Sequence, residues 1–279
     1  CILLSMLHCL FDFLANYSSL GLCFAFASYH IYLPFRVSSL LGSRVANNKP
    51  LAITIDIIAI ITTVFGVTTS LGLGTEQISA GISHIFLIEE TFFNKIIIIT
   101  VITLIGLVSV SLGLDSGIKK LSQINMILAI TLLSFVFFFG PTVFILNALI
   151  QNFGAYVNTL IESATWTEVY DDSSWQNGWT LFYYSWWFAW APFVSLFIAR
   201  ISYGRTIKEF IIGVLFVPSL IVFIWMGVFG NAAIYQVINN IGDISGAVSN
   251  NASTALFVLY ESLKFSKFLS IISLILIVT

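Results

Sequence analysis

Six large aromatic side chains crowd into twelve residues: Trp179, Tyr183, Tyr184, Trp186, Trp187 and Trp190. An indole face attracts cations, and quaternary ammonium is the usual ligand of such clusters. Trp179, Trp186 and Trp190 are spaced by seven and then four, which puts three indoles on one face of a helix, with Trp187 beside it. Trp and Tyr also anchor helices at membrane interfaces. Anchoring accounts for Trp179 and Tyr183 more readily than for Trp186, Trp187 and Trp190, which lie two turns and more deeper. On residue types alone, cation binding and anchoring both stay open. Pro192 follows at once and removes a backbone donor, which predicts a kink or a short unwound stretch between Trp187 and Phe193.

Two other stretches carry groups that could do chemistry. Asp12 lies about one turn inside an apolar run, where an ionisable side chain is costly. Either it sits near the outer surface, solvated or paired with His8, or it is a carboxylate that receives a cation or a proton. Farther on, Thr63, Thr68, Thr69 and Ser70 offer hydroxyls and Gly66, Gly72, Gly74 and Gly81 offer close approach. Such hydroxyls bond neighbouring helices or their own backbone. Where a helix is broken, they and freed carbonyls supply hard oxygens for a sodium ion. Gly66, Gly72 and Gly74 are expected to lie against another helix. Cys1, Cys9 and Cys23 show no paired spacing, and with three His a metal site is not expected. No Ser/His/Asp set is spaced for catalysis, so no catalytic residue is assigned and an enzyme is not expected.

The elements that hold these residues are membrane spans. Hydrophobic residues make up 58% of the chain and charged residues 9%, and mean hydropathy is +1.00. A soluble domain carries about a quarter charged residues. The fold class is all-α, a polytopic helical membrane protein. A net charge of −2 without a basic patch excludes nucleic acid. Apolar runs of about twenty residues predict spans at roughly 10–33, 51–82, 93–114, 124–149, 179–199 and 210–229, with a seventh run from Phe265. Gly140-Pro141 is expected to kink the fourth. Residues 151–177 read as a polar external segment, and 231–261 as one or two surface helices. Arg36, Arg44, Lys49, Lys119, Lys120, Arg200, Arg205 and Lys208 follow spans one, three and five, whereas Glu89, Glu90, Glu162, Glu168, Asp171, Asp172, Asp243 and Glu261 follow the others. Positive charge stays inside, so the first set is cytoplasmic and the first span enters from outside.

The run Trp179-Thr-x-Phe-Tyr-x-x-Trp-Trp-x-x-Trp-x-Pro-Phe-Val, followed by Phe197-Ile-Ala-Arg-Ile-Ser-x-Gly-Arg-Thr-Ile-x-Glu-Phe, resembles the eighth helix and following loop of the betaine/choline/carnitine transporter family. The stretch from Asp56 to Gly81 resembles that family's fifth helix. The resemblance implies one transporter domain over residues 1–279, truncated at both ends, running from the family's fourth helix to the start of the tenth. The implied fold is part of a LeuT-like inverted-repeat transporter, with substrate near the bilayer midplane. It further implies ion-gradient-driven uptake of a quaternary-ammonium or amine compatible solute, a place in the plasma membrane and a homotrimer. A non-transporting sensor or inactive relative on the same scaffold is the alternative.

The resemblance also assigns residues. Tyr17, Trp186, Trp187 and Trp190 would bind substrate, and Asp12 would receive substrate or a proton. Thr63 and Phe193 match two ligands of a family sodium site, which permits Na+ as coupling ion without any resident cofactor. Val67 stands where a second threonine ligand would be and cannot ligate. On the fourth helix, Cys9 and Leu14 replace two tryptophans of the family's ammonium cage, and Asp12 stands at a histidine. Half of that cage is gone.

Overall fold

The computed structural model describes residues 2–113, 117–170 and 173–278. Cys1, Leu114, Asp115, Ser116, Asp171, Asp172 and Thr279 lie outside the described residues. Among the described residues, every regular element is helical. Seven stretches are long and apolar enough to cross a membrane: Ile2–His30, Lys49–Phe86, Phe92–Ser111, Lys119–Phe139, Thr142–Thr165, Asn177–Ile201 and Ile207–Ile238. The protein is an integral membrane protein.

The chain forms two compact units. The first comprises Cys1–Thr69 and Asn152–Ile224. It opens with α1 (Ile2–Cys9) and α2 (Phe11–Ala25), which continues as a π-helical turn at Phe26–His30. The two helices meet at Leu10, whose φ of −104° and ψ of −116° depart from helical values. The backbone ladder persists across the joint, with Leu10 N bonding Met6 O at 3.0 Å and Leu14 N bonding Leu10 O at 3.2 Å. The joint therefore turns the chain without severing it. A short 3₁₀ turn and α3 (Ser43–Asn47) lead to α4 (Lys49–Phe86). Its 38 residues exceed the roughly twenty that span a bilayer, so its ends project beyond the apolar layer.

A π turn at Asn177–Leu181 enters α8 (Phe182–Ile201), and α9 (Ile207–Ile211) leads through another π turn into α10 (Val217–Ile238). The helix α2 packs along α8. Ser195 Oγ donates to Tyr17 O at 3.1 Å, and Tyr29 Oη donates to Ala199 O at 3.3 Å. Gly21 makes the approach possible, since a Cβ there would lie 2.9 Å from the Phe210 ring and 3.5 Å from Ser195 O.

The second unit comprises Ser70–Gln151 and Trp225–Thr279. It holds α5 (Phe92–Ser111), α6 (Lys119–Phe139), the start of α7 (Thr142–Thr165), most of α10, α11 (Ile244–Asn251), α12 (Ala255–Glu261) and α13 (Ser266–Val278). Its largest core gathers Leu132, Val136, Ile145, Val228, Tyr260 and Leu269. Lys95 Nζ meets both Glu76 carboxylate oxygens at 2.7 and 2.6 Å, so this lysine outside the cytoplasmic set is neutralised.

Several expectations need correction. Gly140-Pro141 does not kink one span; it separates α6 from α7, and the segment after 151 is helical to Thr165. Along α7, Asn147, Gln151, Asn158 and Glu162 are exposed while Ile145 and Tyr156 are buried. At 100° per residue the four polar positions share one stripe, which marks an amphipathic helix lying at a membrane surface. Counting α7 as a span would also carry Arg200, Arg205 and Lys208 outside, against the charge rule.

The segment after Asn231 is exposed over residues 239–243 and much of α11, as expected of a surface helix, but its first part is not. The helix α10 runs through it to Ile238, because the Asn231 amide donates to Gly227 O at 2.7 Å and so satisfies itself within the helix. In α12, Phe257, Leu259 and Tyr260 are buried. Pro192 lies inside an uninterrupted α8, with no unwound stretch. Gly66 does lie against another helix, but a Cβ at Gly72 or Gly74 would meet nothing within 4 Å.

Candidate functional site

The site lies in the first unit, where α1 and α2 meet the first turns of α8. The joint at Leu10 lets His8 and Phe13 both turn toward α8. The His8 ring stacks on Tyr183 with centroids 5.2 Å apart and lies 6.2 Å from Trp187. Phe13 sits between Tyr17, at 4.7 Å, and Trp187, at 5.1 Å. Tyr184 joins from the other side, 5.0 Å from Trp187. Tyr17 is 5% exposed and Trp187 6%. The result is a wall of half-buried Phe13 and Tyr184 with buried Tyr17 and Trp187, whose electron-rich faces suit a cation with methyl groups.

Asp12 stands beside this wall. The Tyr184 hydroxyl is close enough to interact with its carboxylate, while its Oδ2 is sealed from solvent without a hydrogen-bond partner. Of the alternatives for Asp12, pairing with His8 is not what the structure shows. The His8 Nδ1 lies 2.8 Å from Leu4 O and its Nε2 3.1 Å from Thr180 Oγ1. A carbonyl can only accept, so Nδ1 carries the proton and Nε2 accepts from the threonine. Cys9 is half-buried and Leu14 buried, so both tryptophan replacements face protein.

The structure divides the indoles that the sequence grouped. Trp187 faces α2, whereas Trp186 and Trp190 face α4. Trp186 Nε1 donates to Gly66 O at 3.2 Å. A Cβ on Gly66 would lie 2.9 Å from Trp190 Cδ1 and 3.1 Å from Ala189 Cβ. Trp190 Nε1 is buried without a partner. Trp179 leaves the ladder because the π turn at Asn177–Leu181 rotates everything before Phe182. It stacks instead with Trp175 and Tyr183.

Thr63 and Phe193 are brought to one cavity of about 510 Å³, together with Pro192, Asp56 and Arg36. Thr63 Oγ1 donates to Ala59 O at 2.9 Å, and Thr68 and Thr69 likewise donate to their own helix. Their hydroxyls thus serve the backbone while keeping acceptor lone pairs. Val67 contributes no oxygen. At the far end of the cavity, Asp56 accepts from Ser38 N at 2.8 Å and Ser38 Oγ at 3.0 Å, and Arg36 Nε lies 3.9 Å from it.

Phe13 and Thr180 are the candidate site residues that sequence reading missed, and Tyr184 was grouped with the aromatic cluster without a role of its own. Phe13 had a signal, since it lies four residues before Tyr17 on the same helical face. Thr180 had none, because its contact depends on cross-helix register.

Comparison with known proteins gives the same direction. The family model described as "BCCT, betaine/carnitine/choline family transporter" matches residues 2–279. A glycine betaine transporter of Acinetobacter baylyi is 41% identical over 268 residues, 94% of this chain and 40% of the relative. Glycine betaine transporter 1 of Vibrio parahaemolyticus is 40% identical over 267 residues, 94% of this chain and 50% of the relative. The high-affinity choline transport protein of Escherichia coli is 41% identical over 228 residues, 80% of this chain and 33% of the relative. The chain thus spans between a third and a half of the length of these curated relatives.

Proposed function

The chain belongs to the betaine/carnitine/choline transporter family, and from that premise we propose that it forms the substrate-binding part of a secondary transporter for a quaternary-ammonium or amine solute. One observation carries the reading: Phe13 and Tyr17 from α2 converge with Trp187 from α8 inside membrane-crossing segments, with the Asp12 carboxylate adjacent. Aromatic faces and a half-buried carboxylate together favour a cation over a neutral or anionic solute. The relatives' printed substrates, glycine betaine and choline, are both trimethylammonium compounds and fit that chemistry.

Coupling to an ion gradient belongs to the same proposal. Thr63 and Phe193 share a cavity and would stand near a sodium ion, with Val67 weakening the donor set. A homotrimer in the plasma membrane completes the proposal. The test is radiolabelled uptake by the full-length protein in proteoliposomes, with and without a sodium gradient. Uptake of a cationic solute supports transport. Binding without uptake would instead favour a sensor on the same scaffold, and light scattering in detergent reads the subunit number.

A further inference from the structure

Asp12 is the only charged residue between Ile2 and Phe35. It lies in the first turn of α2, directly after the joint at Leu10. None of the ion pairs among the described residues includes it; they join Arg36 to Asp56, His84 to Glu261 and Lys95 to Glu76. Its titratable neighbours are His8, Tyr184 and Tyr156, and His8 spends both ring nitrogens on Leu4 O and Thr180 Oγ1. The Tyr184 hydroxyl lies close enough to interact with the carboxylate, and Oδ2 is left buried and unpaired.

An unpaired carboxylate oxygen out of water is costly, and the cost is relieved by a donor that also carries positive charge. A trimethylammonium group brings the charge and no N–H. A dimethylammonium or monomethylammonium group brings both. Its methyl groups would rest on Trp187 and Phe13 while its N–H meets Oδ2: Asp12 adjoins Phe13, whose ring lies 5.1 Å from Trp187, and Tyr184, which interacts with Asp12, has its ring 5.0 Å from Trp187.

We propose that Asp12 is a specificity-determining residue that selects a partly methylated ammonium, bearing at least one N–H on its cationic nitrogen, over the fully methylated homologue. The proposal rests on the cationic-substrate reading above and narrows it. It also gives a role to the exchange of two cage tryptophans for Cys9 and Leu14: attraction lost from indole faces is replaced by one charge-assisted hydrogen bond.

The test is equilibrium binding to the purified full-length protein in nanodiscs, by calorimetry. The probes are glycine betaine, N,N-dimethylglycine and sarcosine, then choline beside N,N-dimethylethanolamine. The wild type should bind each dimethyl compound about 10-fold or more tighter than its trimethyl homologue, as one charge-assisted bond allows. In Asp12→Asn the ratio should fall to within about threefold, and Asp12→Leu, which suits an apolar span, should show the same loss should the first variant fail to fold. Trimethyl compounds binding as tightly as dimethyl ones in the wild type would overturn the proposal while leaving the cationic-substrate reading in place. So would an unchanged ratio in both variants. No binding by any probe would overturn both.

Discussion

At the scale of the residue, Trp187 and Gly66 divide the aromatic stretch into a face turned to α2 and a face packed on α4. Trp187 presents its indole to Phe13 and Tyr17, so it is the position where a cation–π contribution should be measurable. Trp187→Leu should weaken binding of a cationic substrate by about 2- to 30-fold, corresponding to roughly 0.5–2 kcal/mol. Calorimetry on the full-length protein reads it, and unchanged affinity would remove Trp187 from the site. Gly66 acts differently. Its missing side chain is the space that Trp190 and Ala189 fill, so Gly66→Leu forces overpacking at about 1–3 kcal/mol. At Gly72 no atom lies within 4 Å, and Gly72→Leu should instead gain about 0.8 kcal/mol of helix propensity. Thermal unfolding in detergent should therefore rank Gly66→Leu below wild type and Gly72→Leu at or above it. The opposite order would mean that α4 does not meet α8 at Gly66. Trp187 was legible in the sequence because its motif is long, and Tyr17 only through a short stretch that keeps it where two tryptophans are lost. Phe13 was not, because only the register of α2 against α8 decides which aromatic lies against Trp187.

At the scale of the element, two carboxylates hold non-helical segments in place. Asp56, near the start of α4, accepts from both the amide and the hydroxyl of Ser38, and Ser38 is fully buried. Asp56→Ala leaves two buried donors unpaired at about 1–3 kcal/mol each. Residues 31–48 should then exchange amide hydrogens faster and be cut sooner by protease, while the rest of α4 stays protected; equal protection in the variant would show that the loop is held elsewhere. Glu168 braces the turn before α8. Its carboxylate accepts from the Ser173 hydroxyl and from the amides of Gln176, Trp175 and Ser173, and these bonds, the Ser173 hydroxyl foremost, hold its pKa below the ordinary carboxylate range. The sign follows from linkage: a depressed folded pKa means the brace is complete above the ordinary Glu range and is lost as pH falls through the lowered value. Protection of the 173–176 amides should fall on acidification, and Glu168→Gln should show the acid behaviour at neutral pH. A pH-independent profile in the wild type would exclude the brace. The spans around these segments were readable because hydropathy sums over about twenty residues. Elements that depart from that sum were not. The four polar positions of α7 dilute its apolar run, Asn231 satisfies itself inside α10, and the π turn before Phe182 inserts a rotation that residue spacing cannot reveal.

At the scale of the whole molecule, the distribution of charge and the surface position of α7 make one joint prediction about sidedness. Arg36, Arg44, Lys119, Lys120, Arg200, Arg205 and Lys208 follow the inward-running spans, and Lys95 is neutralised by Glu76. With α7 lying at the surface, the chain crosses four times before Ser174, which is then external, and once more before Tyr203, which is then cytoplasmic. With α7 spanning, both residues change sides. Ser174 is exposed and Tyr203 is 73% exposed, so a thiol at either position is reachable. Single cysteines at Ser174 and Tyr203 should be placed in a full-length background without native cysteines. An impermeant thiol reagent added to intact cells should label the first and spare the second, and permeabilising the cells should expose the second. The reverse pattern would carry Arg200, Arg205 and Lys208 outside, and either the surface position of α7 or the charge rule would then fail for this chain. The two are separated by a third cysteine at Ser39, ahead of α7. Ser39 is buried, so Arg44→Cys, on the same loop, is the better reporter. Cytoplasmic protection at position 44 with external labelling at 203 would show that α7 crosses; external labelling at both would show that the whole chain is inverted.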